Sequence, residues 1–174
     1  MKNIQLLLTL FLLSVMTACQ PVLKEFQPEN DSLFRIAFSY PANWVWEEQI
    51  PFDDFVGEPP PSELIVAKNG AIEVQVFKPS DPQTEMQAFI GMYVKAVGNM
   101  LRADTTIQID GYDARWLTVV YPPQNTSEAD VQESIYLLTE DRYYVIGFSY
   151  TESETNGRFH KECKELIKTI EILR

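Results

Sequence analysis

The sequence predicts an α+β domain built as an antiparallel β-sheet flanked by helices. Three observations lead there. Eight stretches beyond residue 33 carry strand patterning, arranged as four strands, a helix, four strands and a final helix. Successive strands meet at tight-turn dipeptides, Asn69-Gly70 and Asp110-Gly111, which favour two-residue hairpins. Two segments instead repeat apolar residues every three or four positions, the mark of a helix with one buried face. Strands joined by hairpins pair antiparallel, and amphipathic helices need a sheet face to cover.

In chain order, Met1-Lys2-Asn3 is a short cationic start, and residues 4–16 are apolar except for Gln5, Thr9 and Ser14. That run is too short to span a bilayer and has the length of a signal-peptide core. Met16-Thr17-Ala18-Cys19 follows and resembles the lipobox of bacterial lipoproteins, with Met16 where that motif usually has Leu. The resemblance implies cleavage before Cys19 and lipidation of its sulfur. Residues 1–18 are therefore expected to be a signal peptide, 19–32 a lipidated tether, and 33–174 the folded domain. The tether holds two prolines and no periodic pattern, although Val22, Leu23 and Phe26 offer apolar surface that would shorten it by packing on the domain. Two or more acyl chains hold a protein stably to a membrane where one is marginal.

The domain opens with Phe34, Ile36, Phe38 and Tyr40 on one face of a half-buried strand. Pro41-Ala42-Asn43 turns the chain, and Trp44, Val45 and Trp46 begin a second strand. Residues 50–61 read as a loop with Asp53, Asp54, Glu58 and the run Pro59-Pro60-Pro61. Strands are expected at 64–67 and 72–77. Ser80-Asp81-Pro82 reads as a helix start, with a capping carboxylate and proline at the first helical position. Met86, Phe89, Ile90, Tyr93, Val94 and Val97 give that helix its apolar stripe, and Gly98-Asn99 weakens its end. Strands follow at 105–110, 114–121, 131–140 and 143–150, with Asp141-Arg142 as a tight turn. Thr155-Asn156-Gly157 breaks the last strand before a helix with Phe159, Cys163, Leu166, Ile167 and Ile170 on its inner face.

The stretch Phe38-Ser39-Tyr40-Pro41-Ala42-Asn43-Trp44 resembles the opening strand-turn of PsbP-like proteins, in which an aromatic-Pro-x-x-Trp element starts the domain. Gly111-Tyr112-Asp113-Ala114 and the closing strand and helix after Tyr143 are similar to that family in order and spacing. The resemblance implies an α/β/α sandwich in a single domain over residues 33–174. The family includes the extrinsic PsbP subunit of photosystem II, lipidated cyanobacterial relatives and other bacterial lipoproteins, so a role at a photosystem II-type complex is one implication.

The composition excludes several functions. With 14 Lys+Arg against 25 Asp+Glu, the net charge is −11. No basic surface is implied for nucleic acid, nor a Lys/Arg cluster for an anionic membrane. Two cysteines make no disulfide framework. Chemistry-bearing residues are sparse. His160 is the one histidine, expected to face water, one helical turn from Cys163, expected to be a buried thiol. Gly147-Phe148-Ser149 is half of a nucleophile elbow lacking its second glycine, so Ser149 with His160 would be a serine hydrolase only if an orienting acid joined them. Asp53, Asp54 and Glu58 carry oxygen ligands for calcium but lack the alternation of an EF-hand loop. Trp44 and Trp46 share a face, either inside the core or, if Val45 points inward, as an exposed contact surface. The sequence therefore leads to a membrane-anchored lipoprotein of the bacterial cell envelope, facing the periplasm or lumen. It is expected to be a non-catalytic module that needs no cofactor and binds a protein partner, with Trp44, Trp46, Asp53, Asp54 and Glu58 as contacts. A metal-binding lipoprotein and a Ser149/His160 hydrolase are the alternatives.

Overall fold

The computed structural model describes residues 23–26, 34–49, 62–67, 71–123 and 127–174, with backbone alone at 46–49, 62–67 and 71. Its elements are strands β1 (Leu23–Phe26), β2 (Ile36–Pro41), β3 (Val45–Gln49), β4 (Ser62–Ala67) and β5 (Ala71–Phe77), then helix α1 (Pro82–Val97). Strands β6 (Leu101–Ile109), β7 (Tyr112–Tyr121), β8 (Asp130–Leu138) and β9 (Tyr143–Thr151) follow, then helix α2 (Arg158–Lys168) and strand β10 (Glu171–Ile172). Seven strands form one antiparallel sheet in the order β3-β4-β5-β9-β8-β7-β6. Three more form a small sheet in the order β1-β2-β10, with β2 in the centre.

Strand alternation gives the large sheet two apolar faces, so it is covered on both sides. Tyr143 and Val145 of β9 point to one face, where Met86 and Ile90 of α1 pack with Leu117 and Tyr136. Phe77 stacks flat on Tyr143 there, with ring centroids 4.6 Å apart. The intervening residues Tyr144, Ile146, Phe148 and Tyr150 point to the other face. There α2 brings Cys163, Leu166 and Ile167, and the small sheet brings Ile36 and Phe38. Burying such side chains contributes about 1.5–3 kcal/mol each, so the two covered faces supply the fold's main driving force.

The helix and turn signals act as the sequence suggests. Asp81 caps α1, its carboxylate accepting from the Thr84 amide at 3.1 Å, with Pro82 as the first helical residue. Asp110 and Gly111 both take positive φ (47° and 82°), which a tight β6–β7 hairpin requires and which Gly tolerates without strain. The Asp110 carboxylate also accepts from the Ile172 amide at 2.9 Å, tying β10 to this turn.

Several features differ from the sequence expectation. Leu23–Phe26, assigned to the tether, forms β1 and pairs with β2 in register from Leu23↔Pro41 to Phe26↔Phe38. Phe26 stacks on Phe38 at 4.8 Å, which shows why an apolar segment this close to the domain does not stay free. The strand expected at 34–40 is buried on both faces, because Ala37 (3% exposed) is covered as fully as Phe38. It lies in the small sheet, apart from β3, the strand that follows it in the chain. Arg142, expected only as a turn residue, is 1% exposed and makes a two-point pair with the Asp141 carboxylate at 2.9 and 2.7 Å. The hairpin dipeptide Asn69-Gly70 and the loop residues Asp53, Asp54 and Glu58 lie outside the described residues, as do Cys19 and the segment before it.

Candidate functional site

The second face of the large sheet carries a buried polar cluster under α2. Val131, Glu133, Ile135 and Leu137 alternate onto this face of β8, so Glu133 sits where an apolar residue is the rule, 4% exposed. Its partner across the β8–β9 ladder is Phe148. A buried carboxyl group is costly unless hydrogen-bonded, and the Tyr150 hydroxyl donates to its Oε1 at 2.5 Å. His160 enters from α2, with Nε2 3.1 Å from the same oxygen. The ring N–H is not aimed along that line, so this is a close polar contact and not an aligned hydrogen bond. The Asn156 amide donates to Nδ1 at 2.9 Å. Nδ1 must therefore hold a lone pair, which places the proton of the neutral ring on Nε2. The imidazole stacks on Tyr150 with centroids 4.7 Å apart and lies 6.4 Å from Phe148.

Burial sets the electrostatics here. It holds the His160 pKa below its usual value; the nearby Glu133 opposes this and Lys164 adds to it. The Tyr150 hydroxyl is pushed well above the usual phenol range by burial and by its bond to Glu133. The Cys163 thiol is pushed up by burial, with Glu133 and Glu162 adding to the effect. At neutral pH the cluster therefore holds a neutral imidazole, a phenol and a thiol.

A solvent-facing groove of about 970 Å³ adjoins this cluster. Its floor is aromatic, with Trp44 stacked on Phe159 at a centroid distance of 5.6 Å and Tyr150 beside them. Its rim is polar, with Asn43, Asp130, Glu154 and Arg158 among the lining residues. Arg158 is held to Glu162 at 2.7 Å.

The residues singled out from sequence fall in different places. His160, expected to face water, is 4% exposed, which overturns that reading. Positions 160, 163 and 167 share a helix face, so the stripe that buries Cys163 and Ile167 buries His160 as well. Cys163 is a buried free thiol, as expected. Ser149 is exposed, its β8 partner is Gln132, and alternation sends it to the face opposite Tyr150. With the imidazole beneath Tyr150 on the other side of the sheet, the Ser149–His160 pair is not assembled. Trp44 is 6% exposed and Val45 59%, so alternation turns Trp44 inward and Val45 out. Only the edge of Trp44 reaches the groove. Trp46 is in β3, its side chain outside the description. Among the described residues, no three His, Cys, Asp or Glu side chains gather in a metal-holding group. Sequence reading missed Glu133 and Tyr150; an acid on the inward phase of one strand, sharing its face with a tyrosine of the next strand, was the available signal.

No protein-family model and no curated sequence matches the chain. Solved structures do. The solution structure of cyanobacterial PsbP (CyanoP) from Synechocystis sp. PCC 6803 aligns with a TM-score of 0.56 at 12% identity, over 88% of this chain and 94% of that one. LpqN of Mycobacterium tuberculosis, described as involved in cell envelope biogenesis, gives 0.50 at 12% identity, over 87% and 92%. A Bacteroides thetaiotaomicron crystal structure gives 0.56 at 15% identity over 87% of this chain, which spans only 48% of that larger protein. The fold is PsbP-like, a single α+β domain with helices on both sides of an antiparallel sheet.

Proposed function

We propose that this chain is a lipid-anchored, extracytoplasmic module of the bacterial envelope that binds a protein partner through the groove beside Trp44 and Phe159. The observation that carries the reading is that groove. It is open and aromatic-floored, with Asp130 and Glu154 on its rim and Ser149 in its lining, whereas His160 and Cys163 are sequestered. Buried aromatics within a polar rim suit recognition, and the carboxylates suit a partner with basic surface, whose binding salt would weaken. The lipobox at Cys19 supports the membrane location, and no described helix is long and apolar enough to cross a membrane. A PsbP-like fold supports assembly at a photosystem II-type complex, and the likeness to LpqN supports a wider envelope role.

Intact mass of the membrane-fraction protein, compared between the parent and Cys19→Ala, tests the anchor. Loss of residues 1–18 with a gain of acyl mass in the parent alone is expected. Crosslinking from a photoreactive residue at Asn43 tests the groove. Recovery of one dominant neighbour is expected, and Glu154→Lys should diminish it. A soluble, unmodified parent protein would overturn the anchor, and crosslinks spread evenly over bystanders would overturn the groove.

A further inference from the structure

The net charge of −11 conceals a local reversal. Helix α2 carries Arg158, Lys161, Lys164 and Lys168, four of the 14 cations of the chain on an 11-residue element. Their spacing of three, three and four residues puts them on one face, opposite His160, Cys163 and Ile167. All four are exposed. Two carboxylates answer part of this charge, Glu162 paired with Arg158 at 2.7 Å and Glu165 with Lys168 at 2.6 Å. Lys161 and Lys164 have no carboxylate partner among the described residues, and Lys164 lies over the Trp116 ring at 5.9 Å.

Beside this face is a slot of about 450 Å³ between α2 and the edge of the small sheet. Leu23, Pro41 and Leu166 give it apolar walls, and Arg158, Lys161 and Lys168 line it together with Glu162 and Glu165, so that Lys161 is its cation without a carboxylate partner among the described residues. Leu23 is 55% exposed, the first residue of β1, and four residues after Cys19. Four residues of chain reach at most about 14 Å at 3.3–3.6 Å each. An acylated Cys19 would therefore hold the mouth of this slot within that distance of a bilayer.

We infer that the slot and the cationic face of α2 dock on the anionic phospholipid of the membrane that holds the anchor. The apolar walls suit acyl chain and the rim cations suit a phosphodiester, a pairing that a helix with a basic polar face offers to anionic bilayers. This rests on the lipid-anchored reading above. Docking at this face would fix how the aromatic groove is presented above the membrane.

The test uses the protein purified from its membrane, added to vesicles of phosphatidylcholine alone or mixed with phosphatidylglycerol. Lysine acetylation is followed by mass spectrometry, with exposed Lys95 on α1 as the reference. Slower modification of Lys161, Lys164 and Lys168 than of Lys95, with phosphatidylglycerol only and reversed by salt, is the expected result. Lys161→Gln should shift the docked-to-undocked ratio about five-fold toward undocked, read at Lys164 and Lys168. Equal rates in both vesicles would overturn the inference. So would protection seen in native membranes but absent from phosphatidylglycerol vesicles, because a protein would then be the occupant. The acyl mass is read separately: its absence refutes the anchor, while the lysine rates still decide the face.

Discussion

Replacing Tyr150 by Phe removes one oxygen and leaves the ring packing intact. The lost hydroxyl is the aligned donor to Glu133 Oε1, at 2.5 Å, and both residues are nearly closed to water (9% and 4% exposed). The His160 N–H, poorly aimed at the same oxygen, does not replace it. A hydrogen bond to a charged group contributes about 1.5–3 kcal/mol, and leaving its buried partner short costs in the same range. Tyr150→Phe should therefore destabilise the domain by about 2 kcal/mol, a fall in Tm of about 4–8 °C for a domain of this size. Urea unfolding followed by circular dichroism would read it as a lower midpoint at unchanged slope. The companion variant Glu133→Leu with Tyr150→Phe removes donor and acceptor together, and should recover part of the loss, since a well-packed apolar pair replaces an imperfect polar one. A Tyr150→Phe variant within about 0.5 kcal/mol of the parent, or a double variant less stable than the single ones combined, would refute the idea that Glu133 depends on this hydroxyl.

Three further outcomes are expected. Because burial lowers the folded-state pKa of His160, the unfolded chain binds its proton more readily; stability should be full above about pH 6.5 and fall as pH drops below it. His160→Phe should flatten that slope in unfolding measurements between about pH 5 and 8, and an unchanged slope would count against it. Asp141, held at a pKa of about 2 chiefly by its bond to Arg142, contributes stability above its ordinary value near 3.8 that is lost as pH falls toward 2. Since Asp141 is 45% exposed, screening reduces the effect, and Asp141→Asn should cost about 1 kcal/mol near neutral pH and progressively less in acid. Cys163, fully enclosed and with its pKa raised, should resist maleimide in the native protein and react once urea unfolds it; labelling under native conditions would contradict its burial.

Much of this protein is written locally in its chain. Asp81-Pro82 starts α1, Asp110-Gly111 turns β6 into β7, and period-two runs mark β7, β8 and β9, because each depends on residues only a few positions apart. The burial of Cys163 follows from the same local stripe. Partners far apart in sequence were decided by tertiary structure. Strand β5 lies beside β9, with α1 and three strands between them in the chain, and β2 is held between β1 and β10 from opposite ends of the domain. Periodicity states which face of a strand is apolar and is silent about which strand lies alongside. Glu133, Tyr150 and His160 meet for the same reason, each carried inward by its own element and joined only when α2 closes on the sheet. The segregation of lysines onto one face of α2 is local in origin, yet its place beside β1, four residues from Cys19, exists only in the folded chain. Spacing along a helix is a local property, whereas the packing of a helix against a strand from the other end of the chain is fixed only by the shared core.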